Sequence, residues 1–359
     1  MDGPGGLGIS DDVARWSQAI GTRAPAYRRL LQVLVAILEE GSPEGVHLAH
    51  RLNDAWSSRS FRIFYERPLL LLASLRFAAI TEGAGHPLWS AVGASDPDPE
   101  SATRGALLEA LRAPSVWADI HDGFVQTNET SRAMAWLWPA AIVGCSEGKR
   151  PLVLFEVGAA AGLNLVADRL PAEWTAASGG RLVTTVAPDV VTRVGIDAHP
   201  LDARVDRDTN WLRACVWAGE RKRLARLEAA IEAFRSLPAK VEPGDVTLAP
   251  ERLFALSQAR EERGVVVAFQ TIVRDYLDDD TRAKYELGMK RWLEQAPAAS
   301  ALWIELEIDY RDSGNAVPVV VHVREDREVV DIVLGTTAFH PQSVAVNESA
   351  VARLGRMFP

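Results

Sequence analysis

Residues 153–170, VLFEVGAAAGLNLVADRL, decide the fold. The apolar run ending at Val157 reads as a strand buried on both faces. Gly158 follows at once and Gly162 four residues later, and LNLVADRL then takes up a helical pattern. Gly158 removes side-chain bulk where the chain leaves the strand, and Gly162 lets the following helix pack closely on the sheet. A strand, turn and helix start of this kind serve either as a ligand cradle or as a close-packed connection.

The pattern continues downstream. VTRVGID within 181–197, KVEPGDV (240–246), GVVVAFQTI (264–272) and SALWIELEIDY (300–310) read as strands. NWLRACVWAGERKRLARLEAAIEAFRSL (210–237) reads as one long amphipathic helix, and 278–296 as another with an acidic start that suits the helix dipole. VPVVVHVREDREVVDIVL (317–334) reads as a hairpin turning at Glu325–Arg327. Strands alternating with helices predict an α/β fold: a mostly parallel sheet, helices on both faces, and an antiparallel hairpin closing one edge.

Upstream of GKRP (148–151) the texture is helical. Leu30, Leu31, Leu34, Ile37 and Leu38 recur at helical spacing, and further helices are expected at about 60–83, 102–113, 115–123 and 127–144, separated by Gly/Pro-rich breakers. The expected organisation is a flexible tail at 1–12 with a helix capped near Ser10 or Asp11, an all-helical domain or lid at 13–148, and the sheet domain at 149–359.

Composition narrows the function. Net charge is −9 over 359 residues, which disfavours phosphate backbones and anionic membrane surfaces. Cys145 and Cys215 stand apart with no Cys/His cluster, so a reduced cytoplasmic protein without a metal site is expected. No apolar stretch reads as transmembrane, and 67–80, which carries Arg76, reads as a buried helix.

Three features of the sheet domain act together. The loop Glu156–Gly162 supplies the turn, RVGIDAHPLD ends a strand in Asp197, and EPGDV places Asp245 after the next strand. In this order they resemble the core of class I S-adenosylmethionine-dependent methyltransferases. TNETSRAMAWL (127–137), FEVGAAAGLNLVADR (155–169), RVGIDAHPLD (193–202), WLRACVWAGERKRLARLEAA (211–230) and VVVAFQTIVRDYL (265–277) resemble the bacterial domain-of-unknown-function family 2332. The resemblance implies a Rossmann-like, methyltransferase-type sheet after a helical N-terminal region. It implies S-adenosylmethionine held by Glu156, Gly158, Ala160, Gly162, Asp197 and Asp245. Two departures stand out. Ala160 replaces a middle glycine, and Asp197 lies 41 positions after Glu156, about double the ~20 of a compact dinucleotide-binding unit.

Other residues carry chemistry. Glu305, Glu307 and Asp309 share one face of their strand with Trp303, so they either meet arginines or line a wet cleft. Glu307 and Asp309, nearest the carboxyl edge, are candidate catalytic groups together with Glu129 and Tyr276. Asn128, Arg132, Gln270, Thr271 and Arg274 are candidate substrate contacts, Thr127 or Asn128 a helix cap, and His86 and His340 loop imidazoles able to act as bases. The expected partner is a small molecule, not nucleic acid or membrane; a homo-oligomer or a small partner protein stays open. Three functions compete: a small-molecule methyltransferase, a cofactor-independent displacement such as ring closure in specialised metabolism, and a non-catalytic binding or scaffold subunit.

Overall fold

The computed structural model describes residues 8–126, 128–144, 150–171, 174–182, 184, 190–260, 264–308 and 316–358. Its first helices are α1 (Ile9–Ile20), α2 (Pro25–Glu39), α3 (Pro43–Trp56), α4 (Glu66–Glu82), α5 (Arg104–Ala110), α6 (Pro114–Asp122) and α7 (Met134–Gly144). Then come β1 (Leu152–Val157), β2 (Thr175–Ala176), β3 (Val190–Asp197), α8 (Asp206–Cys215), α9 (Arg221–Ser236), β4 (Ala239–Pro243), α10 (Ala249–Ala259) and β5 (Val265–Thr271). The chain ends with α11 (Asp279–Gln295), β6 (Ala301–Leu306), β7 (Val317–Glu325), β8 (Glu328–Thr337), β9 (Ser343–Val346) and α12 (Glu348–Met357).

Two compact units result: Met1–Thr127 with Val205–Ala225, and Asn128–Arg204 with Arg226–Pro359. This division differs from the boundaries at 12–13 and 148–149 drawn from sequence. α8 joins the helical unit because Trp211 packs edge-on against Phe77 at 5.4 Å and donates from Nε1 to Phe124 O at 2.8 Å.

In the helical unit, the expected stripe of α2 is buried at Leu30, Leu31, Leu34 and Ile37. Local caps set the starts: Ser42 Oγ accepts from Gly45 N at 3.1 Å and Thr103 Oγ1 from Ala106 N at 3.2 Å. α1 begins at Ile9, ahead of the expected cap, and Asp11 Oδ2 accepts from Gly8 N at 3.1 Å. Contrary to the sequence reading, Glu66–Gly85 is long and apolar enough to cross a membrane by length and composition. Most of that segment is buried inside the protein, Arg76 included.

The expected helix at 210–237 is two helices. Gly219, at φ 88, breaks the path between α8 and α9, while Trp217 packs edge-on against Trp16 at 5.9 Å and Ala218 enters the helical core. LNLVADRL forms a 3₁₀ helix, Leu163–Arg169, and 127–144 opens with a 3₁₀ turn, Thr130–Ala133, before α7.

The second unit carries a nine-stranded sheet in the order β2-β9-β8-β7-β6-β5-β1-β3-β4. β4, β3, β1, β5 and β6 run parallel, while β7, β8 and β9 pair antiparallel in succession. The hairpin turns where expected, with Asp326 at φ 53. Alternation along the central strands sorts the core. Leu152, Leu154, Val267 and Phe269 face α7 and α12; Val153, Phe155, Val266 and Ala268 face α10 and α11. β6 ends at Leu306, which leaves Glu307 just beyond the strand.

Candidate functional site

Strand order reverses at β1, with β3 and β4 on one side and β5 and β6 on the other. In such sheets the crevice outside the carboxyl ends at the reversal is the usual ligand position. The glycine loop lies at that end. Gly158, Ala160 and Gly162 take φ 68, 51 and 71, so three of five consecutive residues are left-handed. The two glycines suit this; Ala160 holds it at a cost of about 1–2 kcal/mol. Gly162 is required by packing, since a Cβ there would lie 2.7 Å from Val241 Cγ2.

Hydrogen bonds from β3 clamp the loop. The amides of Gly158 and Ala159 donate to Ile196 O at 2.9 and 3.1 Å. Asp197 Oδ2 accepts from Ala160 N at 2.8 Å and Oδ1 from His199 N at 2.8 Å. Asn128 Oδ1 accepts from Ala161 N at 3.3 Å, which brings the 128–133 segment onto the loop. Asp245 is exposed and turned to local work, accepting from Thr247 N at 2.9 Å and Thr247 Oγ1 at 2.6 Å.

Glu156 is buried, and Oε1 accepts from Asn164 Nδ2 at 2.9 Å. Burial pushes its carboxyl up to about 8; the Asn164 bond opposes this and the Asp197 charge adds to it. Glu156 Oε2, Asn164 Oδ1 and Asn128 Nδ2 are buried without a hydrogen-bond partner among the described residues. Asn164 Oδ1 is thus an open acceptor, Asn128 Nδ2 an open donor, and Glu156 Oε2 carries the proton of the neutral carboxyl; such unpaired atoms in a folded interior need an explanation.

Nearby, Glu129 accepts from Ser131 N at 3.2 Å and from Arg226 Nη2 at 3.1 Å, and its Oε2 lies 3.4 Å from His340 Nδ1. Arg132 stacks 4.2 Å over the Phe339 ring and donates from Nε to Phe339 O at 3.2 Å. Glu129 caps the Thr130–Ala133 turn, a role expected of Asn128 or Thr127; Thr127 lies outside the described residues.

A second polar group occupies the α11 face. Glu307 Oε1 accepts from Gln270 Nε2 at 2.8 Å and Val273 N at 2.9 Å, and Oε2 from Arg274 N at 3.3 Å. Burial raises Glu307 to about 7, against the Val273 and Gln270 bonds. Glu305 Oε2 accepts from Arg274 Nη2 at 2.5 Å and lies 2.8 Å from His322 Nε2, whose Nδ1 lies 2.7 Å from Asp331 Oδ1. Burial opposes charge on His322, but the two carboxylates outweigh it and raise its pKa. Tyr285 and Trp303 both donate to Gln270 Oε1. The strand carboxylates therefore meet an arginine, a histidine and backbone amides, instead of forming a bare acidic face.

The expected residues thus fall into two groups on opposite faces of the sheet. Glu156, Asn128, Glu129 and Arg132 gather on the α7 side; Gln270, Arg274 and Glu307 gather on the α11 side. Asp197 sits at the loop, Thr271 ends β5, Tyr276 is exposed, and Asp309 lies outside the described residues. Asn164, Arg226, Glu305, His322 and Asp331 were not singled out as site residues. Only Glu305 left a trace in sequence, through its alternation with Trp303 and Glu307. A shallow depression along α2 and Arg104 involves none of these residues.

These features define an α/β protein with a mostly parallel sheet and a glycine loop at the point where strand order reverses. The chain belongs to the family described as uncharacterized protein conserved in bacteria (DUF2332), whose model matches residues 12–345. No curated protein and no solved structure matches it.

Proposed function

We propose that this chain is a small-molecule, methyltransferase-like enzyme that binds S-adenosylmethionine at the carboxyl ends of β1 and β3. The observation that carries this reading is the clamp between Asp197 and Ala160. Each Asp197 oxygen spends one lone pair on a backbone amide and keeps capacity for another donor. That half-buried carboxylate suits two neighbouring hydroxyls, as on a ribose. The open atoms of Glu156, Asn164 and Asn128 suit an ammonium and a carboxylate, so the residues present fit the cofactor.

The bound cofactor would supply an electrophilic methyl group. The chain would align it and exclude water, with proton transfer needed only where the nucleophile carries a proton. Glu307, a candidate for that proton in sequence, is buried on the α11 face with both carboxylate oxygens engaged by Gln270, Val273 N and Arg274 N.

A second reading, cofactor-independent displacement, uses the same crevice, with Ala160 in place of a glycine at its loop. An amine would form the new C–N bond, an anionic group would leave with its electron pair, and the amine proton would pass to solvent. Titration calorimetry of the full chain with S-adenosylmethionine and S-adenosylhomocysteine separates the two. Heat that disappears in Asp197→Ala and persists in Asp245→Ala is expected. No heat at millimolar ligand on folded protein overturns the first reading.

A further inference from the structure

The turn after β5 is held from several directions. Ile272 N donates to Leu306 O at 2.9 Å, yet Ile272 takes φ 55, a conformation that β-branched residues adopt only under constraint. The next two amides are bound by Glu307, at 2.9 and 3.3 Å. The Arg274 side chain is bound by Glu305, which His322 links to Asp331 on β8. Val273 closes over the glycine loop: a Cβ built on Gly158 would lie 2.6 Å from Val273 Cγ2. A strained residue, two buried carboxylate anchors and an apolar plug thus meet in five residues.

We propose that Ile272–Tyr276 is a latch over the glycine loop and that Glu307 is the positioning residue that keeps it shut through the amides of Val273 and Arg274. Opening lifts Val273 from Gly158 and widens the crevice; its use as ligand entry rests on the cofactor reading above. Proton uptake by Glu307 is the release. Oε1 already accepts two hydrogen bonds, so the proton goes to Oε2, where it displaces the longer contact with Arg274 N, and loss of the negative charge weakens Oε1 as the acceptor for Val273 N.

The groups around Glu307 set when this happens. Burial favours the protonated form, Glu305 adds to it, and Arg274 opposes it. From α11 come Arg282, Glu286 and Tyr285, with Glu286 engaged by both arginines and the Tyr285 hydroxyl kept neutral by burial. From β7 and β8, His322 and Asp331 act through Glu305.

The test is amide hydrogen exchange on the ligand-free full chain from pH 5.5 to 8.5, corrected for intrinsic rates and referenced to Leu154 in β1. Relative protection of the Arg274 amide is expected to fall about ten-fold or more from pH 8.5 to 5.5. In Glu307→Gln it should stay low at every pH; should that variant not fold, the pH series on the unchanged chain carries the same test. In Val273→Ala the pH dependence should persist while the plug is lost, and S-adenosylmethionine should associate faster. Protection that is level across this range in the unchanged chain overturns the latch, whatever ligand binds. A latch that opens with pH in a protein giving no heat with S-adenosylmethionine supports the latch and removes the cofactor reading.

Discussion

The carboxylate of Asp197 reaches from the end of β3 to the amide of Ala160, 2.8 Å away, and closes the glycine loop against the neighbouring strand. The same carboxylate holds His199 N at 2.8 Å, and Leu201 N donates back to Ala160 O at 3.1 Å. The β1 loop and the chain after β3 are therefore one structural piece.

Replacing Asp197 by alanine removes two charge-assisted hydrogen bonds from that piece. Unfolding by urea should show a loss of about 1.5–3 kcal/mol. An unchanged midpoint and slope would mean that the loop holds itself without β3.

Ala160→Gly should stabilise the protein. Glycine accepts φ 51 without the steric cost borne by alanine. The greater freedom of glycine in the unfolded chain takes back part of the gain, leaving about 0.5–1 kcal/mol. A small rise in melting temperature is the expected readout, and a fall would show that the Ala160 methyl makes contacts worth more than its strain.

Glu156 makes stability depend on pH. Its folded pKa is raised, to about 8, from a usual value of 4.5, chiefly by burial. The folded protein therefore keeps a proton that the unfolded chain loses. The stabilisation is complete below about pH 4.5, declines on the order of 1 kcal/mol per pH unit above it, and is gone once pH passes about 8. Glu307 adds a similar slope ending near pH 7. Denaturation curves across pH 5–9 should be flatter for Glu156→Gln than for the unchanged chain. Equal slopes would show that Glu156 does not titrate in this window.

Arg193 tests how the 3₁₀ segment after the loop is held. It is buried on β3 and grips Asp168 with two bonds, 2.6 and 2.7 Å, while also donating to Leu165 O. Arg193→Met leaves Asp168 with the distant Arg169 contact at 3.4 Å and should cost about 3 kcal/mol. A loss below about 1 kcal/mol would place Asp168 in water instead.

Much of the fold was legible because its signals are local. The strand at 152–157, the glycine turn after it, the 317–334 hairpin and the α2 stripe each depend on neighbours within a few residues. Where local patterns ran together, they misled. The apolar spacing of 210–237 looked continuous across Gly219, and only the packing of Trp217 and Ala218 in the helical core shows the break. The candidate site was less legible. Glu307 and Arg274 stood out as charged residues at strand ends, but His322 lay in a hairpin that read as ordinary edge structure.

The sequence by itself determined the helical texture of the N-terminal region, the central strands, the loop between β1 and the next segment, and the family. Backbone sterics and side-chain periodicity act over short range, so they can be read without coordinates. Only the tertiary structure decided which carboxylates are buried, what they hold, and that they lie on two faces of one sheet. Those properties come from residues far apart in the chain, such as Arg132 with Phe339 or Glu307 with Gln270, and from the exclusion of water around them.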